Sequence, residues 1–159
     1  MNLSFELATE EDIPTLTEVM TRTFDDDTQK HLGEPKGGPP DYDSEEFFYP
    51  YILRKETGTV FRIILDEKII GGFVVFIFRH GNNSLGRIFI DPTHQNKGIG
   101  LKAWKFIENN YPKTKSWTLD TPEWAKRNHH FYEKKCGFKK IEEETVEGGG
   151  ILFIFQKKL

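Results

Sequence analysis

Apolar residues along this chain change their period several times, and the order of those changes predicts an alternating fold. Leu3, Phe5 and Leu7 recur at every second residue, as on a strand with one covered face. Thr9-Glu10-Glu11-Asp12 supplies an N-cap hydroxyl and first-turn carboxylates, and Ile13, Leu16, Met20 and Phe24 follow at helical spacing. From Asp25 to Asp43 the chain carries Asp25-Asp26-Asp27 and a glycine- and proline-rich run from Gly33 to Pro40, which together predict a long acidic loop. Ser44-Glu45-Glu46-Phe47 reads as a second helix start, with Phe47, Phe48, Tyr51 and Ile52 apolar as far as about Lys55.

The pattern then turns to β. Val60–Leu65 and Lys68–Phe78 are separated by Asp66-Glu67, a hairpin-length connection, and Gly71-Gly72 inside the second run suggests a bulge or a close backbone approach. His80-Gly81-Asn82-Asn83 leads into a strand ending at Ile90, completing an antiparallel meander. After Gly98 the residues Ile99, Ala103, Phe106 and Ile107 share a helical face, and Pro112 ends the helix. Ser116–Asp120 is a fifth strand, reached by a crossover that should be right-handed and parallel. Trp124–Cys136 is a further helix with Gly137 as its stop signal, and strands over about Lys139–Val146 and Ile151–Lys157 flank Glu147-Gly148-Gly149-Gly150.

Composition changes this picture little but excludes several functions. A chain of 159 residues, 36% hydrophobic and 14% aromatic, fits one domain spanning 1–159. Its 22 Lys and Arg against 25 Asp and Glu leave a net charge of −3, so neither nucleic acid nor an anionic membrane is an expected partner. No apolar run approaches the roughly 18 residues of a membrane span, and no basic-then-apolar leader opens the chain, so a cytoplasmic location is expected. Cys136 is the sole cysteine, which leaves no internal disulfide or multi-cysteine zinc site; no metal is expected.

The most informative stretch is Gly86 to Gly100, where a strand passes through Pro92 into a glycine-spaced loop that opens a helix. Unpaired N–H groups and the peptide dipole suit such a helix start to a phosphate or pyrophosphate. Two enzyme classes fit. Gly98-x-Gly100-x-x-Ala103, with Asp120 roughly 20 residues on, satisfies the dinucleotide fingerprint. Against it, Asp91–Lys97 intervene between strand and first glycine, and a meander precedes the motif where repeated βαβ units should stand. The P-loop pattern is absent.

Gln95-Asn96-Lys97-Gly98-Ile99-Gly100 matches the Q/R-x-x-G-x-G/A signature of the GNAT superfamily of acyl-CoA-dependent N-acetyltransferases. Phe131-Tyr132-Glu133-Lys134-Lys135-Cys136-Gly137-Phe138 resembles that family's F-Y-E-K-x-G-F block with one extra residue before the glycine. The whole chain resembles the family in element order. The resemblance implies an α/β fold of the α+β type: a mixed, largely antiparallel, twisted sheet of about seven strands with about four helices, its fourth and fifth strands parallel and splayed.

It also implies the chemistry. Backbone amides of Gln95, Asn96, Lys97, Gly98, Ile99 and Gly100 would hold the pyrophosphate of acetyl-CoA, and Lys97 faces either phosphate or solvent. Phe89 and Ile90 would pair with the pantetheine arm in the gap between the splayed strands. Tyr132 matches the family's general acid. Asn128 either bonds the pantetheine amide or satisfies helix backbone, because Ala125 stands where many members carry Asn. Relatives that use a Glu early in the fourth strand have no counterpart here, since Asn83–Ile90 holds no carboxylate. The base is then an ordered water, a loop carboxylate or Asp120, or is dispensable if the bound amine loses its proton on desolvation. His129 and His130, neighbours about 100° apart on a helix, are expected at the surface.

The acceptor is expected to be a primary amine, whether small molecule, polyamine or protein amino group, because acids crowd the region from Asp25 to Glu46. Asp26, Phe47, Phe48 and Tyr51 are the candidate pocket residues. Transfer would be direct, in a ternary complex; the alternative is an acyl-CoA-binding module without turnover. Family members often dimerise, so a homodimer is the candidate assembly.

Overall fold

The computed structural model describes residues 2–159. Its strands are β1 (Leu3–Leu7), β2 (Gly58–Leu65), β3 (Lys68–Phe76), β4 (Asn82–Ile90), β5 (Ser116–Pro122), β6 (Lys139–Thr145) and β7 (Ile151–Lys158), in one sheet of order β1-β2-β3-β4-β5-β7-β6. Only β4 and β5 are parallel. The helices are α1 (Ile13–Leu32), α2 (Ile99–Asn110) and α3 (Lys126–His130), with a further short helical segment between α1 and β2.

Two local irregularities place the site. The β2–β3 register steps from Ile63 opposite Gly71 to Ile64 opposite Ile69, so Ile70 is a bulge. Beside it a Cβ on Gly71 would lie 2.3 Å from the Phe89 carbonyl oxygen, so glycine alone allows β4 this close. The β3–β4 register then steps from Phe73–Ile88 to Val75–Leu85, leaving Gly86 and Arg87 as the bulged stretch of β4. The β2–β3 hairpin closes as its sequence predicts: Asp66 and Glu67 have φ of 47° and 71°, the left-handed backbone of a two-residue hairpin loop.

Three expectations change. The acidic loop begins at Gly33, not Asp25, because α1 runs through the three aspartates. Asp26 pairs with Lys30 at 2.9 Å one turn on, Lys30 and His31 favour the helix end, and Gly33 stops it at φ 71° with its N–H on Gln29 O. The second helix is a 3₁₀ turn, Glu45–Phe47, running into a π turn, Tyr49–Leu53; Pro50 has no N–H with which to continue a regular ladder. The helix expected from Trp124 starts at Lys126 and widens into a π turn over Phe131–Cys136, where the extra residue of the F-Y-E-K-K-C-G-F block is taken up. The N–H groups of Gly137 and Phe138 both return to Tyr132 O, so the turn closes despite its extra residue.

The sheet is covered on both faces. Leu16, Val19 and Met20 of α1 pack with Phe48, Val74 and Phe89 on one side. On the other, Ile99, Ala103, Trp104 and Ile107 of α2 meet Phe73, Leu85, Trp117, Leu119 and Phe155, with Tyr132, Cys136 and Phe138 closing the cluster.

Candidate active site

The gap between β4 and β5 follows from where their pairing stops. Only Asn82–Ser84 pair with Ser116–Thr118, although β4 runs on to Ile90 and β5 to Pro122. The short seam is pinned by Asn83 Nδ2 donating to Thr114 Oγ1 at 2.8 Å and by the Ser84 and Thr118 hydroxyls 3.0 Å apart. Beyond it the strands are unpaired. Asp91 N–H donates to Ile70 O, so strand alternation turns the backbone groups of Phe89 towards β3 and those of Ile88 and Ile90 towards the gap. Phe89 lines the cleft, but its ring is core, 2% exposed, and its backbone faces Gly72; Ile88 replaces it beside Ile90 as a backbone contributor.

At the mouth of the gap lies a cleft of about 340 Å³. One wall is the expected turn. Asn96 has φ 62° and Gly98 φ 79°, and Gly98 stands at the N-cap of α2 with no side chain closing it and no atom within 4 Å of where a Cβ would be. The first helical bond inside α2 is Lys102 N–H to Gly98 O, so the N–H groups of the preceding turn remain for a ligand. Gln95, Asn96, Gly98, Ile99 and Gly100 all line the cleft, and Lys97 points to solvent beside it. Gln95 shapes the turn, its Nε2 donating to Ile90 O at 3.0 Å. These features suit a pyrophosphate: donors without partners, a glycine where a side chain would intrude, and a positive dipole end.

The opposite wall is α3 and its π turn, which bring Asn128 and Tyr132 to the same cleft. Tyr132 is 8% exposed; burial, then Cys136 and Asp120, push its phenol above the ordinary value, so it stays a proton donor. Arg127, which no sequence motif marked, reaches across to Asn96 Oδ1 at 2.7 Å and sets a cation beside the phosphate turn. Asp27 and His31 of α1 form the rim, and His31 stacks on Trp124 with ring centres 5.6 Å apart. Burial raises the Asp27 carboxyl, against the pull of His31, Arg127 and Lys30 and with a contribution from Asp26.

Other expected site residues sit elsewhere. Asp26 turns from the cleft to Lys30, one helical position from the Asp27 that faces it. Phe48 is fully buried against Phe89, and Tyr51 packs edge-on to Phe76, so both belong to the core beneath α1. Phe47 lies under the Arg87 guanidinium, 4.0 Å away. Asp120 lies on β5 beyond the seam with an open surface; partial burial of its carboxyl raises its pKa, Glu144 adds to the rise and Arg87 opposes it. Of the two histidines, His130 is exposed at the cleft rim, but His129 is half-buried, bonded to Pro122 O at 2.9 Å and stacked on Phe153. Cys136 is buried and its thiol is pushed up to about 12, chiefly by burial. Among the described residues no group of three His, Cys, Asp or Glu side chains is placed to hold a metal, and no helix is long and apolar enough to cross a membrane.

An open anion-binding helix start facing a buried tyrosine across splayed parallel strands agrees with what comparison finds: residues 18–138 match the Acetyltransferase (GNAT) family. The chain belongs to the GNAT acetyltransferase family. Over 140 residues it is 38% identical to the Bacillus subtilis (strain 168) protein YrkN, covering 86% of this chain and 73% of that one. In fold it is similar to PaiA N-acetyltransferase from Thermoplasma acidophilum, solved in complex with coenzyme A (TM-score 0.77, 22% identity, 100% of both chains). It is likewise similar to the ribosomal-protein-S18-alanine N-acetyltransferase of Escherichia coli (TM-score 0.78, 15% identity, 99% of this chain and 94% of that one). GNAT membership removes the dinucleotide reading of Gly98-x-Gly100-x-x-Ala103 and explains the extra spacing ahead of it.

Proposed function

We propose that this GNAT protein transfers an acetyl group from acetyl-CoA to a primary amine by direct attack in a ternary complex. What supports the reading is the meeting, in one cleft, of the uncapped start of α2 with Tyr132 on the facing wall. Bound acetyl-CoA supplies an activated acetyl thioester. The N–H groups at Gly98–Leu101 bind its pyrophosphate, with Arg127 adding positive charge, and the backbone of Ile88 and Ile90 orients its arm along the gap. A β4 N–H at the gap stabilises the developing oxyanion. Tyr132 gives its proton to the departing sulfur as the C–S bond breaks and the C–N bond forms. The amine loses a proton to Asp120 or to water, since β4 offers no carboxylate from Asn83 to Ile90.

Free-thiol release from acetyl-CoA across a panel of amines tests this. Turnover with at least one amine, lost in Tyr132→Phe, is the expected result. A rise in melting temperature with acetyl-CoA but no turnover with any amine would instead identify a binding module.

A further inference from the structure

Arg87 is the unusual cation of this molecule. It sits on the β4 bulge and is half-buried, with its guanidinium carbon 4.0 Å from the Phe47 ring centre and 5.6 Å from that of Phe24. Arg22, Arg54 and Arg62 each pair with a carboxylate, and Arg79 and Arg127 are exposed; Arg87 is half-buried and pairs with none among the described residues. Of the five N–H groups a guanidinium carries, one donates to Pro40 O at 3.1 Å and one to the weak acceptor Met20 Sδ at 3.7 Å, which leaves the rest of the fork unused. A partly desolvated guanidinium without an anion is costly to keep. Its position points to a use.

The pairing of β4 and β5 ends at Ser84 and Thr118, whose hydroxyls meet on one face of the sheet. Trp117 and Leu119 pack towards α2, so Thr118 and Asp120 point to the opposite face, the one α1 covers. Arg87 is on that face too, against Met20 and Phe24 of α1. Arg87 and Asp120 therefore flank the gap just past its apex, one on each strand, opposite in charge and too far apart to form an ion pair. Phe24 links this place to the cleft, whose wall it also forms. An arm laid along Ile90 and Ile88 from the phosphate turn ends here.

We propose that the acceptor is a small zwitterionic amine of amino-acid type, its carboxylate received by the free fork of Arg87 and its ammonium by Asp120. A guanidinium presents two parallel N–H groups to a carboxylate, which a flat ring below leaves open. Asp120 then lies next to the nitrogen that must lose a proton, and the field of Arg87 opposes the rise in its pKa that burial and Glu144 produce. Asp41, the other carboxyl acting on Arg87, does not reach pairing distance.

The inference rests on the acetyl-transfer reading, and its test separates the two. Thiol release is measured for matched acceptors, an amino acid and its carboxamide, such as alanine with alaninamide and lysine with lysinamide, using the wild-type protein, Arg87→Met and Arg87→Lys. The expected result is a kcat/KM preference of about ten- to hundredfold for the free acid, erased by Arg87→Met and partly kept by Arg87→Lys. A carboxylic acid of the same length without an amine, propionate for alanine, should compete with the amine in the wild type only. Equal use of acid and amide by the wild type overturns the inference and leaves acetyl transfer standing. So does a loss in Arg87→Met that is equal for both acceptors, which would make Arg87 an anchor for the Pro40 loop. Absence of turnover with every amine removes both.

Discussion

Tyr132→Phe takes one oxygen from a ring packed among Phe131, Phe138 and Phe155. The ring remains, and among the described residues its hydroxyl has no hydrogen-bond partner to strand. Stability should therefore change by less than about 1 kcal/mol, which for a chain of this length is about 2–4 °C in melting temperature. A general acid is worth about 10²–10⁴ in rate, or about 3–5 kcal/mol on the barrier. Catalysis and stability are thus predicted to separate. Because burial, Cys136 and Asp120 hold the phenol above its ordinary value, the wild type should also show no alkaline loss of kcat at the usual tyrosine pKa of about 10. The assay is thiol release under saturating acceptor from about pH 6 to about pH 10, with melting curves of both proteins. A variant kcat within about threefold of wild type would refute the acid role. A melting temperature lowered beyond about 4 °C would assign the hydroxyl to the core.

Arg22→Ala tests a pH-dependent contact at the end of β4. Burial works against the Asp91 carboxylate, yet bonds from Arg22 and Thr93 hold its pKa below 3.8, so their stabilisation is present above that value and is lost as pH falls through the folded pKa. With Arg22 half in solvent, the variant should lose under about 1 kcal/mol at neutral pH, and urea midpoints of the two proteins should converge in acid. Phe48→Ala should cost about 3–5 kcal/mol; an altered acceptor KM with an unchanged urea midpoint would return Phe48 to the pocket. Gly98→Ala must place a Cβ at φ 79° and should lose about 1–2 kcal/mol. Gly100→Ala meets Phe131 at 3.4 Å and Ile90 Cδ1 at 3.7 Å, ordinary van der Waals contacts, and should be neutral or up to about 1 kcal/mol more stable in chemical denaturation.

The elements that could be read from the sequence were those whose signal is local. Leu3-Phe5-Leu7, the Asp66-Glu67 hairpin and the Gln95–Gly100 turn each carry their instruction within a few residues. The last half of α1 did not, because Asp25-Asp26-Asp27 has no apolar period; its helicity depends on Lys30 one turn later and on Gly33 beyond. Where the candidate pocket residues lie was not legible for a related reason. Asp26 and Asp27 are indistinguishable by composition, and only the rotation of α1 over β4 decides which faces the cleft. Phe48 is aromatic like a pocket wall, yet Phe89 of β4 packs edge-on against it beneath α1. Arg127 enters through tertiary apposition alone, its partner Asn96 lying 31 residues away.

The seam between β4 and β5 has a consequence for how the molecule bends. Three paired positions join the β1–β4 leaf to the β5-β7-β6 leaf, and past them the facing strand edges do not pair with each other, the Ile90 carbonyl accepting instead from Gln95 and Thr23. A ligand that bonds along Ile88 and Ile90 supplies rungs the chain itself omits. The rigidity of the sheet then depends on occupancy, and amide exchange should slow most along β4 and β5 when the gap is filled. The protein is a book held by a short spine, and a ligand laid in the gap becomes part of the binding.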